Sequence, residues 1–222
     1  GETELLRWWI EEGASKELHV IEAQTLPSSV NTLLNRRFGY RETEETGIYA
    51  IDVALPDQAS IQQVQKAGFG VRRLSGDHPF LQVYATNLAG ACNDETLQVL
   101  RPLSRQLARL DLSRTAIGDP GLELIASMRH LTRLNLSRTK VGDDGLAQLA
   151  SLPYLQYLNL YGTQVSDEGL HHLLALPALK TLYLWQTQTS PHGLERFRGQ
   201  APGVEVSGGA QLQPVSEEEQ ER

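Results

Sequence analysis

The chain has 222 residues and a mass of 24.6 kDa, enough for one repeat-built domain with an attached cap. It is 40% hydrophobic but only 6% aromatic, which points to a core of aliphatic ladders rather than ring clusters. The net charge of -7 is uneven: residues 217–222 hold four acids and one base, a net of -3, which leaves -4 elsewhere. That mild acidity excludes a generic nucleic-acid or membrane-surface binder. The single cysteine, Cys92, excludes an intrachain disulfide and any multi-cysteine zinc site. No run approaches the roughly 18 apolar residues that suggest a membrane span. A helical pattern follows directly on Gly1. The chain therefore reads as an excised fragment, with room for export signals upstream.

Residues 2–12 predict an amphipathic helix, with Leu5, Leu6, Trp9 and Ile10 at helical spacing and Gly13 as its stop. A second helix is expected from Ser28 or Ser29, after Pro27, to about Phe38, followed by a polar loop over residues 39–47. From Ile48 the pattern alternates. Ile51 to Leu55 reads as extended, Ala59 to Lys66 as helix, Val71 to Leu74 and Phe80 to Tyr84 as strands. Asp94 to Leu103 reads as a helix with Leu97, Leu100 and Leu103 inward. These segments are expected to be degenerate repeats, because a regular stack needs irregular ends that meet both core and water.

From Leu107 the sequence keeps a 24-residue beat. The columns are Leu107/131/155/179, Leu110/134/158/182, Leu112/136/160/184, Thr115/139/163/187, Gly121/145/169/193 and Leu122/146/170/194. A period in the twenties with the form L-x-x-L-x-L-x-x-T is that of a leucine-rich repeat, one short strand, a turn and a helix per unit. The fold class expected is therefore an α/β solenoid, a horseshoe with a parallel concave sheet and convex helices. Its parts are a helical extension over residues 1–47, the repeat domain over 48–206 (irregular to 106, four regular units from 107) and a disordered acidic tail over 207–222. In each unit the L-x-L pair should point inward and the residues between them outward. The threonine hydroxyl should bond backbone groups of the turn. Asp119, Asp143 and Asp167 suit the positive end of a helix, and Ser190-Pro191 matches an N-cap followed by proline. The last unit departs from the pattern at Thr189, Pro191 and Phe197, and residues 203–206 read as a final edge strand.

Two stretches carry a resemblance. LNLYGTQVSDEGL (158–170) and LYLWQTQTS (182–190) resemble bacterial repeat regions whose units read roughly LxxLxLxxTxVTDxGLxxL. ELLRWWIEEGAS (4–15) resembles the closing helix of the planctomycete-type cytochrome c domain, which is found fused to repeat domains in exported proteins. That family attaches haem through C-x-x-C-H, whereas here Cys92 is followed by Asn93. The resemblance thus implies no cofactor in this chain, haem c in an upstream cytochrome c domain, and a periplasmic or otherwise exported location.

The outward strand positions form a graded grid: Arg109, Asp111 and Ser113; Arg133, Asn135 and Ser137; Tyr157, Asn159 and Tyr161; Thr181, Tyr183 and Trp185. Arg114 and Arg138 extend the basic end. Arginine with aromatics is the composition of a protein-binding hot spot, so the grid reads as a docking face for a protein or peptide with acidic and apolar groups. The competing reading, weighted evenly, is that neighbouring rings only stack across strands to stabilise the sheet. Trp8 and Trp9 read as contacts to the missing cytochrome domain, against the alternative that they fold back on the solenoid. The six histidines lack ligand spacing; His171 and His172 are adjacent on a helix and diverge by about 100°. No nucleophile elbow, phosphate loop or H-E-x-x-H occurs. The leading expectation is a non-catalytic protein-interaction module without nucleic-acid or membrane contact. A spacer or self-association domain, acting through residues 2–12 or the edge strand near Val204, is the alternative, and an accessory region of a redox enzyme ranks third.

Overall fold

The computed structural model describes residues 47–74 and 78–208. The helices expected at 2–12 and 28–38, the pair Trp8 and Trp9, and the tail beyond Gly208 lie outside the described residues. The chain divides into two units, Gly1–Ala50 and Ile51–Arg222. In the first, the described part is a 3-10 turn at Gly47–Ala50.

The second unit is an α/β solenoid of leucine-rich repeats. Its helices are α1 (Gln58–Lys66), α2 (Asp94–Leu97), α3 (Asp119–Ala126), α4 (Asp143–Leu149), α5 (Asp167–Leu173) and α6 (Pro191–Gln200). Its strands are β1 (Gly70–Arg73), β2 (Leu81–Tyr84), β3 (Leu107–Asp111), β4 (Arg133–Asn135), β5 (Tyr157–Asn159), β6 (Thr181–Tyr183) and β7 (Glu205–Ser207). They form one sheet in sequence order, parallel from β2 to β7. The leucine columns are buried between sheet and helices, with Leu134, Leu136, Leu158 and Leu160 wholly inaccessible. Each repeat threonine donates to the carbonyl of the leucine three residues before it, at 2.6 Å (Thr115 to Leu112), 2.7 Å (Thr139 to Leu136 and Thr163 to Leu160) and 2.8 Å (Thr187 to Leu184). The hydroxyl closes the turn that ends each strand.

The aspartates do more than face their own helix ends. Each accepts the backbone N–H of the next repeat's N-cap residue. Asp94 receives Gly118 at 2.9 Å, Asp119 receives Gly142 at 2.7 Å, Asp143 receives Ser166 at 2.8 Å and Asp167 receives Ser190 at 2.7 Å. Ser166 and Ser190 add a hydroxyl bond to the same carboxylate. The glycine column follows from this: a Cβ at Gly193 would run into the Asp167 carboxylate, and one at Gly169 into that of Asp143. Pro191 takes the aspartate's place in the last unit, and among the described residues no helix follows this one. Its N-cap Ser190 accepts from Gly193 at 2.9 Å, as the Ser-Pro pair predicts.

The N-terminal side departs from the expected degenerate repeats. Residues 52–57 have no regular secondary structure rather than a strand. β1 and β2 pair antiparallel, joined through residues 74–80, because so short a link leaves no room for the crossover that parallel neighbours require. The sheet is therefore not parallel throughout: a hairpin caps its first edge. Asp94–Leu103 is not one α-helix but α2 followed by a 3-10 stretch, Gln98–Leu103, that contains Pro102. Proline lacks the N–H an α-helix needs there. The spacing of three between Leu97, Leu100 and Leu103 suits three residues per turn and buries all of them.

Leu158→Ala should lower stability by about 2–5 kcal/mol in urea unfolding, the range for a fully buried leucine. Gly193→Ala should cost about 1–3 kcal/mol through overpacking. In an Asp167→Ala background that cost should shrink, since the carboxylate it strikes is gone. Equal costs in both backgrounds would contradict the contact.

Candidate functional site

Parallel register turns the 24-residue spacing into rows across the sheet face that lies away from the helices. One row runs Gln82, Arg109, Arg133, Tyr157, Thr181, Glu205. The other runs Tyr84, Asp111, Asn135, Asn159, Tyr183, Ser207. Every strand residue of the predicted grid thus falls in one of two straight lines. Ser113, Ser137, Tyr161 and Trp185 lie in the turns just past the strands rather than on them. Backbone pairing still continues there, with Arg114 N–H to Ser137, Arg138 N–H to Tyr161 and Gly162 N–H to Trp185.

The structure adds members that the repeat pattern does not reveal. Arg72 on β1 pairs in register with Gln82 and donates to its Oε1 at 2.9 Å, which extends the first row by one guanidinium. Tyr84 heads the second row, its ring lying where a Cβ at Gly70 would be. Only the N-terminal hairpin carries these residues, and it has no repeat register to read. Their signal was limited to alternation within a single short strand.

Contacts run along the first row and cross from it to Tyr183 of the second. The Arg133 guanidinium sits 4.0 Å above the Tyr157 ring, and the Tyr157 and Tyr183 rings are 5.5 Å apart. Burial pushes the Tyr157 hydroxyl above its ordinary range and Tyr183 adds to this, while the Arg133 charge works against both. Arg138 lies 5.3 Å over the Tyr161 ring. The second row is engaged differently. Asp111, Asn135 and Asn159 each accept the N–H two residues on, at 2.9, 3.1 and 3.0 Å, the Asx-turn geometry. Asn135 also donates to Asp111 at 3.1 Å. These three side chains help close the turns at the strand exits. Trp185 donates its indole N–H to Ser207 at 2.9 Å and remains 42% exposed, the most exposed large aromatic among the described residues.

Between the rows lies a hollow of about 160 Å³ lined by Gln82, Arg109, Asp111, Arg133, Asn135 and Tyr157. A wider hollow of about 490 Å³ on the helix side is bordered by Asp167, Glu168, His171, His172 and Arg196. Among the described residues no three metal-ligating side chains come together, and no helix is long and apolar enough to cross a membrane. Cys92 is fully buried, and burial, with the Asp94 carboxylate second, pushes its thiol up to about 11.

Comparison with known proteins bears on the repeats. Residues 104–204 match the family model described as the leucine-rich repeats of FBD-associated F-box protein At5g56370. No curated protein matches the chain. Among solved structures, an internalin (inlF) from Listeria monocytogenes is similar at 19% identity and a TM-score of 0.35, over 53% of this chain. The match spans 41% of that internalin's chain.

The Cys92 thiol should resist a maleimide at pH 8 in the native protein and react fully once urea unfolds it. Its raised native value also has a sign. Between pH 9 and about 11 the unfolded chain releases this proton and the folded one keeps it, so stability should fall as pH rises through that window. A Cys92→Ala variant should show a flatter alkaline limb in urea titrations.

Proposed function

We propose that the repeat domain is a non-catalytic protein-interaction module that docks its partner on the concave face of the sheet, the face that lies away from the helices. The reading rests on one observation: a rigid row that grades from Arg109 and Arg133 to Tyr157, continued at the strand exits by Tyr161 and the half-exposed Trp185. A face fixed by backbone pairing on both sides loses little ordering entropy when it docks. Leucine-rich repeats typically serve as protein-binding surfaces, and the matched segment, 104–204, contains most of the face.

The proposal extends to the parent protein. Residues 4–15 resemble the closing helix of a planctomycete-type cytochrome c domain, so the chain is read as the C-terminal recognition region of an exported, periplasmic protein with haem c upstream. The residues here do not fit haem attachment: the lone thiol is buried and Asn93 follows it. Trp8 and Trp9 are assigned to contact with that upstream domain. An upstream C-x-x-C-H in the full reading frame is the expected finding, and its absence would remove the cytochrome part while leaving the docking face intact.

One observation favours a purely structural role instead: Arg133, Tyr157 and Tyr183 spend contact area on each other. The two roles separate by mutation. Trp185→Ala and Tyr161→Ala should reduce capture of the native partner about tenfold or more, the scale of an interface hot spot. Both should leave the urea midpoint within about 0.5 kcal/mol of the parent. Unchanged capture with lowered stability would assign the rings to the sheet alone.

A further inference from the structure

We propose that the sheet face selects an extended acidic peptide segment in one placement. Its carboxylates lie over β2–β4 and an apolar side chain about four residues away lies over β5 and β6. The inference rests on the docking role above and specifies the ligand.

Charge separates the two ends. Arg72, Arg109 and Arg133 lie along one row, and Arg114 and Arg138 stand at the exits of β3 and β4. In these rows over β2–β4 the opposing charge is Asp111, whose two oxygens already accept from Ser113 and Asn135. Arg133 and Arg138 are exposed; the Arg133 guanidinium lies over the Tyr157 ring, and Arg138 lies over Tyr161 and donates one N–H to its hydroxyl at 3.5 Å. Stacking uses the face of a guanidinium and leaves its edge N–H groups to meet a carboxylate in bidentate fashion.

The turn itself does not require these arginines. Arg114 and Arg138 have φ of 60° and 57°, the left-handed region, and the same repeat position is filled by Gly162 at 67° and Gln186 at 57°. A side chain there carries strain of about 1–2 kcal/mol relative to glycine. Two guanidinium groups are nonetheless held at consecutive strand exits on the same end as the row arginines, and strain tolerated at such a position points to use.

Lining and spacing define the rest. The hollow between the rows, about 160 Å³, is bordered by the donors Arg109, Arg133, Gln82 and Asn135, which suit a carboxylate side chain. Over β5 and β6 the rings carry no charge: Tyr161 and Tyr183 are half-buried and Trp185 is exposed, its indole N–H already satisfied by Ser207. From β3 to β6 is three strand spacings, about 14 Å. An extended peptide covers that distance in about four residues.

The test is fluorescence anisotropy with a labelled peptide Glu-Glu-Ser-Gly-Ser-Phe-Leu, its Gln-Gln counterpart, and the spacerless Glu-Glu-Phe-Leu. The first should bind about tenfold more tightly than the second, the scale of a charge-assisted hydrogen bond, and weaken with salt. The spacerless peptide should lose most of that gain. In a protein carrying Arg133→Gln and Arg138→Gln, two exposed positions, the glutamate preference should vanish. Trp185→Ala should weaken both long peptides equally and preserve the preference. Equal binding of the glutamate and glutamine peptides, or no binding of the first at about 1 mM, overturns the proposal, since a ligand that weak supplies only about 4 kcal/mol. Native-partner capture distinguishes the levels. Capture lost with Trp185→Ala but untouched by the double arginine variant keeps the docking face and discards the acidic ligand; capture indifferent to both discards the docking face as well.

Discussion

The carboxylate that each repeat offers to the helix start of the next one sets the geometry on which everything else depends. A helix leaves its first N–H groups without intrahelical partners, and a stack of short helices multiplies that deficit. Here Asp94, Asp119, Asp143 and Asp167 each reach one repeat forward to the N-cap backbone, so that neighbouring helix starts are fixed in step. α4 and α5 have seven residues each, too short to be stable alone. Their order comes from this contact and from the leucines beneath them. Glycine is required three residues after each N-cap, at Gly121, Gly145, Gly169 and Gly193, because the preceding repeat's carboxylate occupies the space of a Cβ.

Fixing the helix starts also fixes the sheet. Each repeat's strand meets the next at the same residue offset, so leucine opposes leucine and threonine turns fall in line. The outward positions inherit that alignment without any interaction of their own. A row of arginine, arginine and tyrosine is thus assembled from residues 24 apart, and the cation and ring meet at 4.0 Å because register brings them there. Binding chemistry on this face is a consequence of periodicity in the core.

The periodic part was legible because burial and turn closure repeat: leucine columns, threonine hydroxyls and the Ser190-Pro191 cap could be assigned from residue type and offset alone. Asp119, Asp143 and Asp167 were recognised as helix-start acids, but their forward bonds were not, because a sequence column does not reveal whether a side chain serves its own repeat or the next. The hairpin of β1 and β2 was missed for the opposite reason. It occurs once, so alternation suggests a strand but not its direction, and Arg72 could not be placed beside Gln82. At Gln98–Leu103, leucines spaced by three fit both an inward helical face and a 3-10 turn; Pro102 selects the second. In the grid, the strand residues fall into rows on one face, and Asp111, Asn135 and Asn159 each also accept a turn N–H, a second role that residue type alone does not announce.

That last distinction bears on what the face can recognise. A polar side chain whose oxygen already closes a turn has little to gain from a ligand, since binding would exchange one hydrogen bond for another. Guanidinium edges and ring faces are in a different position: Arg133 and Arg138 are exposed, with one Arg138 N–H given to the Tyr161 hydroxyl, and the Ser207 bond leaves the Trp185 ring apolar. The Asx column ends at Tyr183 in the last regular repeat, where the turn keeps the threonine bond, Thr187 to Leu184, that every repeat has. Asx oxygens close the turns after β3–β5 and not after β6, and the face carries cations at one end and rings at the other. For the proposed ligand, matching only one end would forfeit half of the available contacts, so the separation between its charge and its apolar group decides more than either alone.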